Sequence, residues 1–162
     1  MRWIVIGIAA NVALLLNGCA RSDQPQLETP SETITKAKSA TQDGVVQVVD
    51  LAPDNLVQGL DQSPTGSLVS CRDGKEWAGH ATVTLRRGAN AAAVIDGVED
   101  SISDTEWSAS RDTTGRGKSR LTLRSNSGVS LLIRPDGGAS INIASFSDCF
   151  ALPSDFVPAR SY

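Results

Sequence analysis

Three runs of the chain alternate apolar and polar residues with a period of two. Ala81, Val83 and Leu85 alternate with Thr82, Thr84 and Arg86; Leu121 and Leu123 alternate with Arg120, Thr122 and Arg124; Ile141 and Ile143 alternate with Ser140, Asn142 and Ala144. Successive side chains of a strand point to opposite faces, so each run predicts a half-buried strand. Val129, Leu131 and Ile133 continue the pattern, with Leu132 interrupting its polar row. Between the runs stand Arg87-Gly88-Ala89-Asn90, Asp96-Gly97, residues 113–117, Asn126-Ser127-Gly128 and Pro135-Asp136-Gly137-Gly138. Each is rich in residues that adopt turn dihedrals or bond locally to the backbone. Six to eight short strands at this spacing predict an all-β domain, a small antiparallel β barrel or sandwich, over residues 67–150. No stretch after Gly66 carries a convincing helical stripe.

Upstream the pattern is different. Residues 20–44 are Gln, Glu, Ser, Thr, Pro and Lys with little apolar beyond Leu27 and Ile34. Such a segment has too little surface to bury against its ordering entropy, and it reads as a flexible tether. Residues 45–49 and 56–60 are short apolar patches around Pro53-Asp54, read as an edge strand and a turn of helix. Ser63-Pro64-Thr65-Gly66 interrupts again, so the tether is taken to cover residues 19–66 and the compact domain to begin near Ser67. Residues 151–162 are left as a C-terminal tail.

The first residues set the compartment. Arg2 precedes an apolar run over residues 3–16, broken only by Gly7 and Asn11, which is shorter than the roughly 20 residues a membrane-spanning helix needs. The run closes in Leu16-Asn17-Gly18-Cys19. This order resembles the signal peptide and lipobox of bacterial lipoproteins, although Asn17 is an unusual occupant of its position. The resemblance implies removal of residues 1–18, acylation of Cys19 and a membrane contact through that lipid. Ala20 follows the cysteine where an inner-membrane retention signal would have aspartate, which favours the outer membrane, with the domain in the periplasm. Each buried methylene of an acyl chain contributes about 0.8 kcal/mol, so two or three chains anchor durably.

Two cysteines remain, Cys71 and Cys149, near the two ends of the strand-rich stretch. An even count in an exported chain reads as one disulfide. The alternatives are two free thiols or a metal pair, and a single histidine gives the latter little support. That histidine, His80, has no Gly-x-Ser-x-Gly elbow to serve and reads as a surface or turn residue. Gly115-Arg116-Gly117-Lys118-Ser119 ends like a phosphate loop, but Asp112 stands where the first glycine belongs and the flanks are strands, so it reads as a basic hairpin loop. Asp96, Glu99, Asp100, Asp104 and Glu106 lack the ordered spacing of a calcium loop. No catalytic, cofactor or metal constellation emerges, and a non-enzymatic protein is expected. An unfamiliar enzyme or a small-ligand or metal sensor is the alternative.

Charge narrows the partners. The chain carries a formal net charge of -3, and residues 71–150 hold ten Lys or Arg against ten Asp or Glu. Nothing there steers nucleic acid. The segment from Trp107 to Lys118 instead combines an aromatic anchor, the hydroxyls of Ser108 and Ser110, and the cations Arg111, Arg116 and Lys118. Hot spots favour tryptophan and arginine, so this stretch is the expected binding site for an envelope or secreted protein. Trp77, and Trp107 equally, could instead close the core.

The lipobox, the tether and a strand-rich span that starts at Cys71-Arg72-Asp73-Gly74 and ends near Cys149 together resemble the bacterial inhibitors of C-type lysozyme in general plan. That family inserts a Ser-Ala-Ser-Gly-x-x-Tyr-like loop into the enzyme's cleft. Only Ser108, Ala109 and Ser110 match it; Arg111 stands in place of the glycine and no tyrosine follows. The resemblance implies a small barrel that blocks a hydrolase.

Overall fold

The computed structural model describes residues 28–162 apart from Arg116. The signal peptide, Cys19 and the first part of the expected tether lie outside the described residues. In chain order the elements are α1 (Pro30–Val49), β1 (Val57–Gln62), β2 (Ser67–Cys71), β3 (Gly74–Leu85), α2 (Ala91–Ser101), β4 (Trp107–Thr113), β5 (Ser119–Ser125), β6 (Ser130–Pro135) and β7 (Ser140–Phe146).

The alternating runs are strands of one antiparallel sheet of seven strands, ordered β1-β3-β7-β6-β5-β4. β3 is long enough to take two partners end to end on one side: β2 along residues 74–78 and β1 along residues 81–85. β7 pairs with its other side, Ala78 opposite Phe146 and Thr84 opposite Ser140. The expected turns at Gly88, Gly117, Gly128 and Gly137-Gly138 all carry positive φ. Cys71 and Cys149 form the expected disulfide, with an S–S distance of 2.00 Å and a Cα separation of 6.1 Å. It ties the end of β2 to the chain just beyond β7. A mostly β, antiparallel architecture with one disulfide is therefore what the chain adopts.

Two helices complete the core, and both correct the reading from sequence. Residues 28–44 are not tether: Thr29 caps α1 through a reciprocal box with Glu32, and Pro30 occupies its first turn. The buried stripe of α1 is Ile34, Thr41, Gly44, Val45 and Val48. Its middle is small and polar, which hides it from a hydrophobicity scan. Thr41 is wholly buried, its hydroxyl donating to the Ala37 carbonyl at 2.6 Å. Burying Ile34, Val45 and Val48 contributes roughly 1.5–3 kcal/mol each relative to exposure. Residues 45–49 are thus the last turn of α1, not a strand, and residues 57–62 are β1, not a turn of helix. The domain starts before α1, not at Ser67.

A helix also lies after Gly66. Asn90 caps α2 by accepting from the Ala92 and Ala93 amides. Ala91, Val94, Ile95 and Val98 then recur at helical spacing on its buried face. Asp96-Gly97, read above as a turn, sits in the middle of it. Both helices pack on the same face of the sheet and share one core with Leu85, Leu121, Leu123, Leu131 and Ile143. The opposite face carries Thr84, His80, Arg124 and Arg134 in solvent.

The sheet has two distinct ends. At one stand Trp107, Ser125, Ser130 and Phe146, with the disulfide beyond. At the other stand Thr113, Ser119, Pro135 and Ser140, with the β4–β5 hairpin. α1 runs from the first toward the second: Thr33, Lys36 and Ala37 border a cleft with Ser147 and Cys149, whereas Val48 and Val49 lie among Val83, Ile133 and Ile141. Residues 151–162 turn back along the disulfide end, and Tyr162 exchanges two backbone hydrogen bonds with Gly66, at 2.9 and 3.0 Å. They are docked rather than trailing.

Candidate interaction surface

β4 is an edge of the sheet. Trp107, its first residue, is buried, and residues 108–113 are all exposed. Trp107 therefore serves the core and not an exposed anchor. A Cβ placed on Gly44 of α1 would come within 3.2 Å of the indole ring and 3.3 Å of Val129. The small residue lets helix and sheet close on the ring.

The other residues expected to bind separate into two groups. Ser108 donates its hydroxyl to the Arg124 carbonyl at 3.1 Å, and Ser110 is exposed. Arg111 reaches across to α2, donating from Nε to Glu99 at 2.6 Å and from Nη2 to Asp96 at 2.5 Å. Glu99 first, then Asp96, pushes the guanidinium pKa up, against a smaller desolvation effect between them. Its fork is occupied within the molecule, and part of the acidic cluster has its role here. Lys118 is exposed in the hairpin, while Arg116 lies outside the described residues. The Ser108-Ala109-Ser110 segment lies inside a strand, each residue paired with β5. It is not a free loop of the kind the lysozyme-inhibitor resemblance implies.

The hairpin is a strand–turn–strand unit. Thr114 donates its amide to the Lys118 carbonyl at 2.9 Å, and Gly117 takes φ +73. No helix follows to point amides at a phosphate. On the outward side of β4, Asp112 receives a forked contact from Arg120 of β5, one arm measuring 2.9 Å from Nε. Arg120 holds the Asp112 carboxyl below the usual aspartate range. β4 thus presents an edge whose two charged side chains are pinned, one to α2 and one to β5. Sequence reading missed that it is an edge. The signal available was the absence of any apolar residue but Ala109 after Trp107.

Elsewhere the chemistry is sparse. His80 stands on the open face with its Nε2 at 2.6 Å from Asn142 Nδ2. Among the described residues no three His, Cys, Asp or Glu side chains gather to hold a metal ion. No described helix is long and apolar enough to cross a membrane. A groove of about 390 Å³ lies between α1 and residues 151–162, bordered by Ile34, Lys38, Gln42, Phe156 and Tyr162.

A seven-stranded antiparallel sheet with two helices on one face and a long exposed edge strand defines the class. Comparison with protein-family models, curated proteins and solved structures finds no match to this chain.

Proposed function

We propose that this chain is a lipid-anchored, non-enzymatic protein of the bacterial envelope whose domain binds another polypeptide through the β4 edge and the β4–β5 hairpin. The observation that carries the reading is β4 itself, an edge strand with six consecutive exposed residues leading into a glycine hairpin with an exposed lysine. A strand edge offers a row of unpaired amides and carbonyls, to which an extended segment can add as a further strand. Arg111 and Asp112 are already held by partners within the molecule, so fewer side chains need ordering when a segment adds to the edge. The balanced charge of the domain favours a polypeptide over nucleic acid.

The test is site-specific photocrosslinking in cells with a photoreactive residue at Ser110 or Lys118, and at Asp54 as an exposed control away from the edge. Adducts from the first two positions and none from the third are expected. Equal labelling at all three would remove β4 from consideration. Identification of a host or bacterial lysozyme in the adduct, with inhibition of its activity, would make hydrolase blocking the specific function.

A further inference from the structure

We propose that residues 151–162 form a second membrane contact, which lays the disulfide end of the domain against the headgroup layer and directs the β4–β5 hairpin away from it. This rests on the reading of Cys19 as the lipidated residue. From Cys19 to Pro30 the chain can span at most about 40 Å when fully extended. α1 begins at Pro30, at the disulfide end, so that end is the one held near the bilayer.

The residues beside that end suit an interface. Phe156 and Tyr162 wall the groove whose floor is the first three turns of α1. Between them Val157 is 85% exposed, against 43% for Val46, the other large apolar residue in solvent among those described. Leu152, Pro153 and Pro158 add apolar surface on either side, interrupted by Ser154 and the exposed Asp155, whose carboxylate has to stay on the water side of the contact. Arg160 and Lys38 stand nearby with no carboxylate partner within ion-pair distance among the described residues, whereas Lys36 is taken by Glu28. Aliphatic and aromatic side chains beside cations are what the headgroup region accepts, the apolar groups reaching about 5–10 Å inward while the cations stay among phosphates. The segment is also already fixed. Tyr162 is paired with Gly66, and the Ala159 amide donates to the Tyr162 hydroxyl at 2.6 Å. Val157 is therefore presented on a held loop. One valine would not attach a protein to a bilayer; with the lipid doing the attaching, it sets orientation.

The test uses the full chain, purified with its lipid and reconstituted in phospholipid vesicles. Val157→Trp is compared with Lys118→Trp, wild type supplying the background from buried Trp77 and Trp107. In vesicles containing brominated phospholipid, the Val157→Trp emission is expected to shift to the blue and be quenched, and the Lys118→Trp emission to do neither. Equal quenching of the two, or of neither, overturns the proposal. A blue shift without quenching that grows with protein concentration also overturns it, in favour of a second copy covering the patch. Intact-mass measurement of the same material separates the two readings. A lipid increment on Cys19 with unquenched Val157→Trp rejects the membrane contact alone, whereas no increment rejects the anchor and the contact with it.

Discussion

At the scale of single residues, Trp77 is tightly enclosed. Its ring is wholly buried, and a Cβ at Gly66 or Gly79 would fall well inside van der Waals contact with it. Gly79→Ala is expected to destabilise the fold by about 1–3 kcal/mol through overpacking. Gly97→Ala, in the open middle of α2, should instead stabilise by about 0.5–1 kcal/mol. Urea titrations of both would check the pair, and equal effects would contradict this packing. Glu76 offers a pH-dependent counterpart. Burial pushes its carboxyl above the ordinary 4.5, with Arg124 opposing and Asp148 adding. A raised folded-state value means that stability is full while Glu76 is protonated in both states and is lost as pH rises through the raised value. Glu76→Gln should accordingly match wild type in Tm below the ordinary carboxylate range and exceed it near neutrality. A constant difference across the titration would point to some other cause.

At the scale of elements, the strands were legible and the helices were not, for a physical reason visible in α1 and α2. A strand half-buried on one face writes its period of two directly into residues such as 121–124 and 140–144. α1 buries Thr41 and Gly44 beside its valines because the helix must approach Trp107 closely, so its stripe is written in size rather than hydrophobicity. In α2, Gly97 sits where a turn signal is expected, and nothing packs there to require or forbid it. The candidate site was legible as a segment but not in its roles. Sequence leaves Trp107 between core and anchor and reads Arg111 as a partner contact, because composition cannot say which residues a neighbouring helix will claim. A chain begun at Ser67 tests the correction. Without α1 and β1, the faces of Trp107, Val83 and Ile141 are uncovered, and such a chain should bind hydrophobic dyes and lose cooperative unfolding. Residues 28–162 should retain it. Equally sharp transitions in calorimetry would restore the shorter domain.

At the scale of the whole molecule, the disulfide joins residues separated by 78 positions. Closing a loop of that size in the unfolded chain contributes about 4.5 kcal/mol by the chain-entropy relation. Cys71→Ser should lower stability by that order, measured as a drop in urea midpoint, and a loss below about 1 kcal/mol would show that the unfolded state is already compact. The pairing at the centre of the sheet has a further consequence, for the timing of folding. β3 and β7 are neighbours in space, yet α2 and three other strands separate them in the chain. The long-range contacts that close the sheet cannot form until the last strand has emerged, which places this fold among those that form slowly. If the chain is exported, as the proposed lipid anchor requires, slow closure of the β3–β7 pair keeps it longer in the extended state that crosses a membrane.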